Sequence, residues 1–255
     1  MKMFFAALLA VWALQSSAQY DFWTPKEAFA IEVSLANAPS MKRLPINRNA
    51  ITALAISGDF ILGTSANQGL APFVFTASLS KRELTNFKDL NEAIAGQRRI
   101  RTGFSKGNSN TYYAGTIPDD PSKGGGHLIA VKLNARGEID IQDLGVPIPN
   151  EGIFSLTIDA KKNMLYGISY PTGIFFSHNI ATKATRSFRD IVPTQKDLHT
   201  LDEYVLGPDN YLCKALVESN QGLIFGSFPI NKLFCFDPKN QSFQVLSDSI
   251  PEVWG

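Results

Sequence analysis

Along this chain, short apolar runs alternate with clusters of Gly, Asn, Asp and Lys, and the runs fall into a recurring order. Each unit holds an apolar strand, a tight turn, a second strand carrying a glycine, a variable loop, then a third strand closing on an outer hairpin. The glycines are Gly63 in "FILGTS", Gly115 in "YYAGT", Gly167 in "MLYGIS" and Gly226 in "LIFGSF", stepping by 52, 52 and 59 residues. The cleanest copy reads "IFSLTID", "MLYGIS", "IFFSHN" and "TRSFRDI" between Ile153 and Ile191. Such a period with four strands per unit predicts an all-β fold, a β-propeller, because no blade buries both its faces without a neighbour.

Four blades of four antiparallel strands are visible, over residues 50–255. After the fourth, "LSDSIPEVWG" repeats the lead-in "LGVPIPNEG" of blade three, Ile250-Pro251 matching Ile148-Pro149. Open blade edges are disfavoured in natural proteins, so the pattern is read as part of a seven- or eight-bladed propeller. A closed four-bladed ring is the alternative.

Ahead of the repeats, residues 1–18 combine Lys2, an apolar run from Phe4 to Leu14 and the small-residue exit Ser16-Ser17-Ala18. The run is too short to span a bilayer and reads as a secretory signal peptide, which predicts a secreted or periplasmic protein without a membrane anchor after cleavage. Residues 19–49 form a lead-in, in which Thr24-Pro25-Lys26-Glu27 has the form of a capped helix start and predicts a short helix from Pro25 to Ala36.

The formal charge is +1, from 24 Lys and Arg against 23 Asp and Glu, so no global bias suggests nucleic acid. Sorting the charges by loop changes the picture. The second-to-third strand loops, and those leading into each inner strand, share the face around the central channel. There Lys42, Arg43 and Arg48 precede blade one, Arg98, Arg99 and Arg101 precede blade two, and Lys123 stands in blade two's loop, against Asp119, Asp120, Glu151, Asp202 and Glu203. This face is expected to attract an anionic ligand, with Arg98, Arg99, Lys123 and Arg189 as binding residues. Solvated loop charges without a partner are the alternative.

His127 follows Gly124-Gly125-Gly126, glycines that would let the backbone approach a substrate. Tyr170 in "SYPTG" occupies the matching loop of blade three. His178 aligns with apolar positions and reads as a core residue, and one of Tyr112 and Tyr113 must face a blade core. The two cysteines, Cys213 and Cys235, fall two strands apart in blade four, beyond disulfide reach at about 4.8 Å per strand. Both are read as buried thiols, with a metal site completed by His199 as the functional alternative.

The blade sequences "SLTIDAKKNMLYGISYPTGIFF" and "LFCFDPKNQSFQVL" resemble secreted bacterial propellers of the kelch and YVTN kind. The residues His127 in "GGGHLIAV", Tyr170 in "SYPTG" and Arg186 in "ATRSF" resemble the channel-mouth set of propeller-type ulvan lyases. That resemblance implies β-elimination on a uronate-containing polysaccharide, with His127, Tyr170 and Arg186 as catalytic residues. Arginine would neutralise the carboxylate while tyrosine or histidine moves the proton. It also implies a structural zinc, to which His199 and Cys213 would contribute. The other expectation is a non-catalytic propeller binding a glycan or protein partner through its loop face.

Overall fold

The computed structural model describes residues 49–67, 72–194, 212–228 and 232–247, all within one compact unit, Arg48–Gly255. The signal peptide, the helix expected at 25–36, the cations Lys42, Arg43 and Arg48, and His199 lie outside the described residues.

The described chain folds as a β-propeller of four-stranded antiparallel blades. Blade one is β1 (Asn49–Ser57), β2 (Phe60–Asn67), β3 (Phe73–Ser78) and β4 (Glu83–Asp89). In blade two the inner strand is split into β5 (Gln97–Ile100) and β6 (Ser105–Lys106), both pairing with β7 (Thr111–Pro118), which is followed by β8 (Leu128–Leu133) and β9 (Ile139–Gly145). Blade three is β10 (Gly152–Asp159), β11 (Met164–Tyr170), β12 (Phe175–Asn179) and β13 (Thr185–Ser187). Blade four is β14 (Leu216–Glu218), β15 (Ile224–Phe228), β16 (Lys232–Asp237) and β17 (Ser242–Ser247).

Hairpin chemistry closes the blades as the sequence predicts. Asp159 Oδ1 accepts from Lys162 N at 3.1 Å, and Asp237 Oδ1 accepts from Lys239 N at 2.8 Å. Asn163 and Gln241 take the left-handed backbone that such turns require, with φ of 52° each.

Three cores lie between successive blades. Leu62 and Val74 of blade one meet Tyr112, Ile129 and Val131 of blade two. Tyr113, Leu128 and Ala130 of blade two meet Ile153, Leu165 and Phe176 of blade three. Phe154, Tyr166 and Phe175 of blade three meet Leu212, Phe234 and Phe236 of blade four. Adjacent residues on one strand therefore serve opposite cores. Tyr112 and Tyr113 are both buried, one on each side of blade two, where the sequence requires only one of them in a core. This explains the near-continuous apolar runs of the central strands: each side chain removed from water contributes about 1.5–3 kcal/mol on either face.

Among the described residues, blades one and two are further joined through the pairing of Ala66 with Arg99, which fuses them into one nine-stranded sheet. That pairing places Arg99 on the inner strand rather than on the loop ahead of it. In blade four, the inner strand begins at Leu216, so Cys213 precedes it and packs under Gly226.

Candidate functional site at the channel mouth

The loop face of blades two and three is held by a buried polar chain. Thr116 Oγ1 donates to Gln97 Oε1 at 2.6 Å and accepts from His127 N at 2.8 Å, and Gln97 Nε2 donates to Gly125 O at 3.4 Å. Two of the three glycines are pressed against backbone: a β-carbon at Gly125 would fall 3.1 Å from Glu151 O, and one at Gly126 would fall 2.1 Å from Thr116 O and 3.0 Å from Gly152 Cα. Gly126 N donates to Glu151 O at 2.8 Å. Gly125 and Gly126 thus dock blade two onto the segment that leads into blade three.

From this seam, β10 and β11 carry the aromatic part of the site. Gly152 pairs with Tyr170 across them. Phe154 and Tyr170 stack with ring centroids 5.9 Å apart and planes 10° from parallel. Two arginines of blade two lie over this pair: the Arg99 guanidinium is 5.9 Å from the Tyr170 centroid, and that of Arg101 is 4.4 Å from the Phe154 centroid. Both distances are within the range of a cation–π contact. The buried Arg99 Nε has no hydrogen-bond partner.

Glu151 fixes the turn after Tyr170. Its Oε2 accepts from Ser169 Oγ at 3.0 Å and Thr172 N at 3.1 Å, and its Oε1 accepts from Thr172 Oγ1 at 2.6 Å. The Tyr170–Pro171 bond within this turn is cis.

The sequence-proposed catalytic residues are placed in three directions. His127 Nδ1 lies 2.9 Å from Asp143 Oδ1, on β9, the outermost strand of its blade. Tyr170 lies over the inner strands. Arg186 on β13 is exposed, donates to Gln241 Oε1 of blade four at 2.9 Å, and covers Phe188 with its guanidinium 4.9 Å from the ring centroid. Arg186 is level with Ser177 and Tyr166 in the sheet register, four residues along and two strands outward from Tyr170. At the usual strand spacing and rise that is a separation of roughly 16 Å. The structure brings Tyr170 together with Arg99, and not with Arg186.

Of the other binding residues, Arg98 and Arg189 are exposed, and Lys123 is an exposed partner of Asp120 at 3.6 Å in the single-turn helix Pro121–Lys123. Hydrogen bonds from Ser122, and the charge of Lys123 after them, hold the Asp120 carboxyl below the usual carboxylate range. Phe154 and the positioning role of Glu151 escape the sequence reading. The available signal was the spacing of Arg99 and Arg101, two residues apart at the end of β5.

Cys213 and Cys235 are not joined by a disulfide. Cys213 is buried and donates to Ala215 O at 3.0 Å, while Cys235 is half-buried and burial pushes its thiol upward. Among the described residues no three His, Cys, Asp or Glu side chains form a group suited to a metal. Nor is any helix among them long and apolar enough to cross a membrane.

Several solved structures share this architecture. A protein of unknown function from Bacteroides thetaiotaomicron aligns at TM-score 0.51 and 10% identity, over 78% of this chain and 43% of that one. A chain of the nidogen/laminin complex aligns at TM-score 0.50 and 13% identity, over 79% and 66%. A Lactobacillus plantarum protein aligns at TM-score 0.50 and 12% identity, over 80% and 57%. The chain thus spans between 43% and 66% of these structures' lengths. Identities this low speak to fold alone. No protein-family model and no curated protein matches the chain. The class defined by fold and site is a β-propeller with an arginine–aromatic cluster where blades two and three meet.

Proposed function

We propose that this propeller is exported and binds an acidic extracellular polysaccharide across its loop face. The observation that carries the reading is the pair of guanidiniums, Arg99 and Arg101, seated over the stacked rings of Tyr170 and Phe154. Guanidinium supplies planar, bidentate recognition of a carboxylate or sulfate. An adjacent aromatic face offers an apolar surface to a sugar ring. Arg98 adds charge at the same strand, and Lys123 and Arg189 stand at the exposed rim.

A lyase is the second reading, and the Arg99–Tyr170 contact is what favours it. Neutralising a uronate carboxylate beside a tyrosine hydroxyl is the arrangement that β-elimination needs. On this reading Arg99 takes the role that resemblance gives to Arg186.

Isothermal titration with an oligogalacturonate tests the first reading. Micromolar to millimolar binding by the native chain, weakened at least tenfold in Arg99→Gln, supports it. Undiminished binding in that variant overturns it. Ultraviolet monitoring of the same mixture separates the two readings, since an unsaturated uronate product that vanishes in Tyr170→Phe identifies a lyase.

A further inference from the structure

Between successive blades, the backward face of one blade always packs on the forward face of the blade before it. One face of each kind is left over: the backward face of blade one and the forward face of blade four. Two cross-strand rows make up the first. Leu54, Phe75 and Phe87 flank Gly63 in one row, and Ile56, Ile61 and Leu84 flank Ala77 in the other. Neither row carries a charged residue, and Leu54 and Ile56 are 60% and 67% exposed. On blade four the forward row is Val217, Phe225, Cys235 and Gln244, again uncharged, with Val217 59% exposed.

The repeat itself shows what the blade-one face is built to meet. Phe75 fills the seat over Gly63 as Phe176 fills the seat over Gly167 and Phe234 the seat over Gly226. Phe176 and Phe234 are buried beneath the preceding blade, whereas Phe75 is only half-buried. The exposure of Leu54, Ile56 and Val217 shows that blades one and four do not cover each other. A contiguous apolar face of this kind marks a contact surface.

We infer that a second copy of this chain covers both faces, blade four of each copy packing on blade one of the other, so that two chains close one eight-bladed ring. The contact continues the series of three inter-blade cores, with a backward face again meeting a forward one. It is therefore head-to-tail, and closure after two copies sets a two-fold axis along the channel. Eight blades lie within the range that propellers adopt. A four-stranded face about 19 Å across and about 23 Å long presents roughly 440 Å². Closure through two contacts covers four such faces, roughly 1,700 Å², which is the size of a stable interface. Because the facing rows are uncharged, no ion is buried without a partner. The ring would carry the arginine–aromatic cluster twice around one channel.

Sedimentation velocity of the full chain tests this. A two-copy species is expected at micromolar concentration. Leu54→Glu and Val217→Lys alter side chains that are exposed in the single chain, so each variant should keep the native circular dichroism spectrum. Each should nonetheless sediment as one copy, its dissociation constant raised about thirtyfold or more, the scale of an interface hot spot. Ile56→Glu repeats the blade-one test from the second row. Mixing Leu54→Glu with Val217→Lys should restore the pair, because one contact is then native and both introduced charges, of opposite sign, fall in the other. A native chain that stays single overturns the proposal, as does failure of the mixture to pair. A Val217→Lys chain that still pairs with itself would mean that two blade-one faces meet each other, and growth into open polymers would mean that the ring does not close; either result overturns it too.

Discussion

The Phe176 ring lies in the space that a side chain on Gly167 would occupy: a β-carbon there would fall 2.4 Å from ring Cζ. The two are direct cross-strand partners on β11 and β12. Gly63 with Phe75 and Gly226 with Phe234 repeat the relationship, at 2.2 and 2.3 Å. In blade two the partner changes, because Ile153 of the next blade fills the space over Gly115, 2.5 Å from its missing β-carbon. The repeating glycine is thus a seat for a bulky side chain.

Gly167→Ala should therefore be destabilising, since Phe176 is fully buried between blades two and three and has no room to retreat. Overpacking of this kind costs about 1–3 kcal/mol. Urea unfolding should show a lower midpoint with little change in slope, and adding Phe176→Leu should recover part of the loss. A neutral Gly167→Ala, or strictly additive losses in the double variant, would contradict the seating argument.

The glycine spacing made the blades legible because backbone packing demands it at every repeat, whatever the surface does. Hairpin residues such as Asp159 and Asp237 were legible for the same local reason. The sequence sets Arg98, Arg99 and Arg101 ahead of blade two, whereas its inner strand already pairs over Gln97–Ile100 and again over Ser105–Lys106. That shift moves Arg99 from loop to strand. The site was legible only in part: Tyr170 and Arg99 could be named as types, but their contact joins residues 71 apart and depends on how two blades meet. Arg186 looked equivalent in sequence, yet β13 carries it outward to Gln241.

His178 gives the fold an acid-sensitive point. Its Nδ1 is 2.9 Å from Thr185 Oγ1, and its buried Nε2 has no partner to receive a new proton's hydrogen bond. Burial first, and the charge of Lys183 second, hold the imidazole below its ordinary value of 6.5. The unfolded chain therefore takes up a proton in a range where the folded chain resists it. Stability should be full above about pH 6.5 and decline as pH falls toward the folded value. Melting temperatures between pH 7.5 and pH 5 should show that decline in the native chain and a flatter profile in His178→Gln. Asp59 loses its contribution only at lower pH, because bonds from Ser78 and Ser80 hold its carboxyl below the usual range. Parallel profiles for the two chains would remove His178 from the account.

Glu151 should act on the ligand through Tyr170 without touching it. Its three accepted bonds close the turn that follows Tyr170. Glu151→Ala leaves Ser169 Oγ and Thr172 N without that acceptor, at a cost of about 1–3 kcal/mol if they stay dry. Oligogalacturonate binding should weaken several-fold, with a larger entropic penalty in calorimetry as the loop is ordered on binding. Glu151→Gln, which keeps the acceptor on one side, should recover most of the affinity. If Glu151→Ala binds as the native chain does, the turn does not position Tyr170.

Arg99→Lys separates charge from shape at the mouth. Lysine keeps the positive charge, yet it lacks the planar group that lies over Tyr170 and the fork that grips a carboxylate. If the site worked by charge alone, Arg99→Lys and the native chain would bind oligogalacturonate equally and share one salt dependence. Seating of the guanidinium on Tyr170, at 5.9 Å to the centroid, argues for the other result. Arg99→Lys should bind several-fold more weakly while keeping the native salt dependence, and Arg99→Gln should lose affinity and part of the salt dependence together. Tyr170→Leu should then bring the native arginine down to the level of Arg99→Lys, because it removes the face on which the guanidinium rests. Titrations of all four chains at two ionic strengths decide between the two results, and equal affinities for native chain and Arg99→Lys would reduce the arginine–aromatic cluster to a patch of charge.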